Sequence, residues 1–277
     1  MDILLPSKAG REVLTKYGFG AEAETRLDAQ SHEGIEDLVR TAHAPYSGPE
    51  GRFSIADVDD GLREEAIGRI EDYIEGAAAR FPNLEKINMH CSPKRWAGED
   101  RLLQGDYGRL IDAIRRIAAA GDRHGLIVAV ENNRAYWEGV GKEVPAEEVD
   151  REAQNVYFGV EPDEWIQIQQ DVARDNVVLC LDTSHACTYA QTLSGVEERR
   201  TTMMKYLEAG EALRHLHWNG NDLLTNVGRD DTHMSLHEDD LPDELHARLR
   251  DWDATQLLEH WYGEDALEGE LAYIKGL

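Results

Sequence analysis

Short apolar or β-branched runs recur along the chain, each followed by a polar stretch and then by residues of helical period. Eight of them read as strands: 3–5, 21–24, 39–42, 86–89, 126–130, 177–181, 214–216 and 255–258. The fifth and sixth are continuously apolar, the pattern of a strand covered on both faces. Between the runs, 59–80 aligns Leu62, Ile67, Ile70, Tyr73 and Ile74, and 107–120 aligns Leu110, Ile111, Ile114 and Ile117, each as one stripe of a helix. Segments 161–174, 197–213 and 266–274 complete the predicted helices, and Pro162 falls where a helix start tolerates proline. Strands alternating with helices over this length predict a single-domain (β/α)8 barrel of α/β class across residues 1–277, with no linker or repeat dividing it. The longest gap, 132–157, follows the fifth strand; a loop of that length in a compact domain usually serves function.

Composition narrows the classes. With 277 residues and 41% of them hydrophobic, the chain can bury a sizeable core. Asp and Glu number 55 against 29 Lys and Arg, giving a net charge of −26, which excludes a basic nucleic-acid-binding surface in ordinary salt. Only seven of the basic residues are lysines, and there are only four Phe; this balance suits a halophilic, salt-rich cytoplasm, where ions screen self-repulsion. No run reaches the roughly 18 apolar residues of a membrane span, and 1–10 lacks the apolar core of a secretory signal, so a soluble, cytoplasmic protein is expected. Cys91, Cys180 and Cys187 form no CxxC pair and read as buried thiols.

The chemistry lies in what ends each strand, because barrels of this kind build their sites at the C-terminal ends of the strands. Those positions hold His43, His90, Glu131, Asp182 with His185, His217 and Glu259, and the loop after the seventh strand adds Asp231 and His233. All are nitrogen or oxygen donors suited to a divalent cation. A buried carboxylate must be paired or hold a metal. A salt bridge explains one such residue; three, at Glu131, Asp182 and Glu259, point to metal. His215 shares a strand face with His217 but lies deeper, so it reads as a hydrogen-bonded interior residue. His237, His246 and His260 read as solvated.

The run Cys180-Leu181-Asp182-Thr183-Ser184-His185-Ala186, the strand-ending Glu131-Asn132-Asn133 and the pair Leu258-Glu259 resemble the xylose-isomerase-like TIM barrels. That superfamily holds sugar isomerases and epimerases together with the endonuclease IV type of abasic-site endonuclease (AP endonuclease family 2). The resemblance spans nearly the whole chain. For a sugar epimerase it implies one metal at Glu131, Asp182, His217 and Glu259. For the endonuclease IV type it implies three sites: His43, His90 and Glu131; Glu131 as a bridge with Asp182, His217 and Glu259; and His185, Asp231 and His233. It implies zinc, two or three ions, with manganese or another divalent ion left open. The chain departs from the endonuclease pattern in its opening strand, in His237-Glu238-Asp239 after the Asp-x-His pair, and in lacking a bulky apolar residue after Tyr46.

Three divalent cations would outweigh the four ligand carboxylates and suit an anionic phosphate ester, whereas a single one would not. The expectation is therefore a metal-dependent phosphoester hydrolase, acting on abasic DNA or a small sugar phosphate. The alternative is a mononuclear sugar or sugar-phosphate isomerase or epimerase, with Glu131 and Glu259 exchanging a proton as the catalytic pair. Tyr46, Arg134, Trp137 and Arg229 are the expected substrate contacts, and Arg95 and Arg101 also follow strand ends. For a small substrate, Tyr136 and Trp137 would form an apolar cover over the mouth.

Overall fold

The computed structural model describes residues 2–98 and 102–277, so Arg101 lies outside the described residues. All eight predicted strands form, as β1 (Asp2–Pro6), β2 (Gly20–Ala23), β3 (Val39–His43), β4 (Lys86–His90), β5 (Ile127–Glu131), β6 (Val177–Asp182), β7 (Leu213–His217) and β8 (Thr255–Leu257). Each pairs in parallel with its sequence neighbours, and β1 pairs with both β2 and β8, which closes the barrel. The register sets strand ends side by side: His90 is opposite Glu131, and Asp182 is opposite His217.

The helices are α1 (Gly10–Tyr17), α2 (Asp60–Arg80), α3 (Tyr107–Asp122), α4 (Pro162–Val172), α5 (Thr183–Ala190), α6 (Val196–Lys205), α7 (Asp243–Arg250) and α8 (Glu264–Gly276). Asp59 and Asp106 cap α2 and α3 by accepting from Leu62 N and Arg109 N. The pattern missed α1 and α7, which bury only two and three side chains. It also missed α5, which starts directly on the end of β6 and is buried nearly all round, so no polar face marks its period. The single helix expected over 197–213 breaks instead: α6 ends at Lys205, and a 3-10 segment to Ala212 carries Gly210 at φ 55° and ψ −133°.

Buried apolar side chains form one large cluster running from Ile3 to Ile274. Trp165 on α4 is fully buried in it and donates its indole N–H to Val130 O at 2.9 Å, fixing α4 to the strand that ends in Glu131. Trp165→Ala should cost about 3–5 kcal/mol, the range for large aromatic-to-alanine core changes. Chemical denaturation checks this, and a loss below about 1 kcal/mol would contradict it.

The loop 132–157 ends in the short strand Val156–Tyr157, which pairs antiparallel with Pro93–Ala97. That strand pairs in turn with Leu102–Gln104. The three cysteines are buried free thiols, as expected. Among the described residues no helix is long and apolar enough to cross a membrane.

Candidate metal centre

The strands deliver their last residues to one rim. His43, His90, Glu131, Asp182 and His217 are the terminal residues of β3 to β7. Glu259 lies two residues past β8. Asp182 also caps α5 by accepting from His185 N at 2.7 Å, which turns His185 back over the same rim.

Glu131 sits at the centre. Its Oε1 lies 3.1 Å from His185 Nδ1 and 3.4 Å from His90 Nε2, and its Oε2 lies 3.4 Å from His43 Nε2 and 3.6 Å from His217 Nδ1. His217 Nδ1 is 3.0 Å from Glu259 Oε2 and 3.9 Å from Asp182 Oδ2. On the far side, Asp231 reaches His185 Nε2 at 3.2 Å and His233 Nε2 at 2.9 Å. His233 also lies 3.9 Å from Asp182 and 3.6 Å from Glu259.

Three groups of donors lie at the rim: His43, His90 and Glu131; Glu131, Asp182 and His217; and Asp182, His185, Asp231 and His233; a fourth, Cys180, His215 and His217, reaches deeper into the barrel. Within each group one ligand atom per residue lies within 4.8 Å of the others. Ligands about 2.0–2.2 Å from a common ion stand at nearly this mutual spacing. Glu259 extends the second group through its contact with His217.

The residues fit a divalent cation on a second ground. His217 Nδ1, His233 Nε2 and Asp231 Oδ1 are buried with no hydrogen-bond partner. His233 Nε2 and Asp231 Oδ1 are close enough to bond and yet are not aligned to do so. Lone pairs that converge without facing one another suit an ion between them, since a buried polar atom left unpaired is costly.

Electrostatics agree. Burial raises the Asp182 carboxyl to about 7, with Glu259 and Asp231 adding to the effect. Burial lowers His90 to about 4. For His233 burial opposes the charge, but Glu259 and Asp231 outweigh it and lift the ring to about 10. His185 is likewise raised against burial by Asp182 and Asp231. Without a cation, protons on His185 and His233 offset the carboxylates. A coordinating nitrogen must lose its proton, so cation binding near pH 7 should release protons, and apparent affinity should rise with pH until the rings have titrated. Calorimetry in two buffers of different ionisation enthalpy checks this; identical binding heats would contradict it.

The sequence reading missed Glu22, the buried carboxylate beneath the rim. It contacts His217 Nε2 at 3.1 Å and His215 Nε2 at 3.0 Å, and it accepts from Thr41 Oγ1 at 2.7 Å. Holding Nε2 of His217 leaves Nδ1 for the centre, the usual device for orienting a ligating imidazole. Strand alternation could have found it, because Glu22 stands between two alanines in a short strand. His215 is the interior residue expected, bonded to Thr255 Oγ1 at 2.7 Å and to Glu22. Asn88, also missed, donates to Glu131 Oε2.

Above the rim opens a cavity of about 330 Å3. His43, His90, His185, Asp231, His233 and Glu259 line it, together with Glu22, Tyr46 and Lys8. Tyr46 stacks on His90 with ring centres 4.7 Å apart. Arg134 comes within 3.8 Å of Asp231. Glu131 does not line the cavity, being enclosed by four histidines; of the expected catalytic pair, Glu259 alone faces it.

Other expected roles are corrected. Trp137 is not a cover for the mouth: it is buried between Arg151 and Arg229, 4.5 and 4.4 Å from its ring, and it donates to Thr188 O. Tyr136 stacks on Tyr157 and meets Trp96 edge-on, so the loop's aromatics form a small core of their own. Arg229 is buried and donates to Gly141 O and Val144 O, and Arg95 donates to Glu152 O and Gln154 O. Loop carbonyls accept from both guanidinium groups, and Arg229 is buried outside the cavity lining. His246 and His260 are buried rather than solvated, paired with Asp239 at 3.1 Å and Glu270 at 2.8 Å.

Comparison with known proteins agrees with this architecture. No curated protein matches the sequence. Among solved structures, a D-tagatose 3-epimerase-like protein superposes with a TM-score of 0.68 at 18% identity, covering 100% of this chain and 99% of its own. A Thermus thermophilus protein soaked with zinc chloride gives 0.66 at 18% identity, covering 100% and 97%. The 3-keto-D-glucoside 4-epimerase of E. coli gives 0.60 at 15%, covering 100% of both chains. The family model described as xylose isomerase-like TIM barrel matches residues 20–277, and the chain belongs to that family.

Proposed function

We propose that this protein is a divalent-cation-dependent isomerase or epimerase of a small sugar or sugar phosphate. The observation that carries the reading is Glu259, a carboxylate facing a cavity of about 330 Å3 and held 3.0 Å from His217 among the cation donors. That volume is at the lower end for small-molecule sites and far below what a duplex requires. The burial of Arg229 against loop carbonyls argues in the same direction. Glu131, Asp182, His217 and Glu259 would hold a divalent cation, which would supply Lewis-acid chemistry there. Glu259 can take the proton from a carbon next to the carbonyl. Returning it to the former carbonyl carbon, with the hydroxyl proton of the first carbon passing to the former carbonyl oxygen, completes an isomerisation. Epimerisation needs a second proton carrier on the opposite face, and His233 and Asp231 line the same cavity. Lys8, also in the lining, offers a contact for a phosphate group. Solved neighbours described as epimerases of D-tagatose, D-psicose and D-allulose type support the reading through the shared fold.

The test is Glu259→Gln assayed on ketohexoses and their phosphates. Loss of the general base should lower turnover by about 10²–10⁴-fold. Turnover equal to that of the unaltered protein would remove Glu259 from the mechanism.

One observation favours a second reading, phosphoester hydrolysis. The rim donors fall into three groups that share Glu131 and Asp182, more than one cation needs. Counting ions per chain together with assaying bis(p-nitrophenyl) phosphate separates the two: three ions with release of p-nitrophenol favours hydrolysis, and a silent diester favours the sugar reading.

A further inference from the structure

The buried face of α8 carries Leu267, Glu270 and Ile274. A carboxylate between two apolar side chains at helical spacing calls for an explanation, since burying a charge without partners is expensive. Glu270 is 2% exposed, and both its oxygens meet His260 Nε2, at 2.8 and 2.9 Å. The other ring nitrogen, Nδ1, lies 3.3 Å from Asn219 Oδ1. Asn219 is fully buried, and its amide Nδ2 donates to Asp182 Oδ2 at 3.0 Å and to Glu259 Oε2 at 3.2 Å. The ring meets the Glu270 carboxylate through Nε2 and the amide oxygen of Asn219 through Nδ1, so Asn219 turns its Nδ2 the other way. The amide then has to present its donors to the two carboxylates.

The same pair braces the loop of the third donor group. Glu270 Oε1 accepts from Leu236 N at 2.9 Å. The His260 ring stacks on Tyr262, which donates to His233 O at 2.9 Å. His233 needs such bracing because it sits at φ 47°, a conformation that costs a non-glycine residue energy. Its neighbour Met234 exchanges two backbone hydrogen bonds with Gly220, where an added Cβ would come within 2.9 Å of Met234 O.

We propose that Glu270, His260 and Asn219 form a positioning chain that carries the packing of α8 to the cation donors Asp182, Glu259 and His233. None of the three is itself a donor in the groups above; Glu270 and His260 act through Asn219 and through the loop. The proposal rests on the reading of the rim as a cation centre and makes no assumption about the substrate.

The experiment is the zinc affinity of the substrate-free chain, measured by competition with a chelating dye. In the double variant His260→Phe/Glu270→Leu both members of the buried pair become apolar, which spares the fold an unpaired charge. Zinc affinity should fall about 10–100-fold, the usual effect of removing groups that orient ligands, while the melting temperature of the cation-free chain stays within a few degrees. Glu270→Gln, whose amide can still bond to both His260 and Leu236 N, should bind within about threefold of the unaltered chain. Asn219→Ala removes the two donated hydrogen bonds directly and should show the same 10–100-fold loss, which keeps the test decisive if the double variant does not fold. Unchanged affinity in Asn219→Ala or in the folded double variant would overturn the chain. Absence of any zinc binding by the unaltered protein would overturn the cation reading itself, and with it this proposal, before a variant is made.

Discussion

Glu131→Gln will leave the barrel folded and lower turnover by about 10³-fold or more. Glu131, like Asp182, belongs to two of the three rim donor groups, and four histidines surround its two oxygens. An amide of the same shape keeps the packing against β4 and β6 but offers one oxygen in place of two and carries no charge. It cannot serve two cation sites as a carboxylate does, and the remaining donors hold positive charge less well. The measurement is kcat and ions per chain on the purified variant, with circular dichroism to confirm the fold. Turnover and ion content equal to those of the unaltered protein would exclude Glu131 from the centre.

Chelation has the next largest effect. Removing the cation returns five buried or half-buried carboxylates, Glu22, Glu131, Asp182, Asp231 and Glu259, to compensation by protonated histidines alone. Activity should vanish and return on adding back a divalent ion. Stability should fall as well, because a ligand present at 100 times its Kd adds about 2.7 kcal/mol to the folded state. For a chain of this size that corresponds to a drop in Tm of roughly 5–10 °C. A thermal scan with and without chelator checks it; unchanged activity and Tm would contradict a cation centre.

Much of this was legible in the sequence for definite reasons. Five of the barrel strands, β3 to β7, close on one His, Glu or Asp, and a closed parallel barrel leaves that residue only one place to go, the rim. That is why His43, His90, Glu131, Asp182 and His217 could be placed from their positions alone. What escaped depended on contacts between distant positions. Glu22 faces inward, but its partners His215 and His217 stand near the other end of the chain and meet it only once the barrel closes. Asn219, His260 and Glu270 look like ordinary polar residues until the fold lines them up. Trp137 in a long loop reads as a lid because exposed aromatics cover pockets; here Arg151 and Arg229 bury it instead, and no side chain of its own neighbourhood announces that pairing.

The geometry of the site bears on function as well as on fold. Nine donors led the sequence reading toward phosphoester hydrolysis; eight of them fall into the three rim groups, and Glu259 adjoins the second through His217. Among the described residues, two of the arginines expected to meet a phosphate backbone, Arg95 and Arg229, donate to loop carbonyls instead, and the cavity is of small-molecule size. A substrate that fits the cavity and needs a proton moved at carbon makes the fuller use of Glu259.

The most direct measurement is incubation of the cation-loaded protein in deuterium oxide with D-fructose, D-psicose and D-tagatose and their phosphates, followed by mass analysis of the recovered sugars. The account predicts carbon-bound deuterium, with a new isomer or epimer, in at least one sugar, lost in Glu259→Gln. No carbon-bound deuterium in any of them, alongside cation-dependent release of p-nitrophenol from bis(p-nitrophenyl) phosphate, would contradict it.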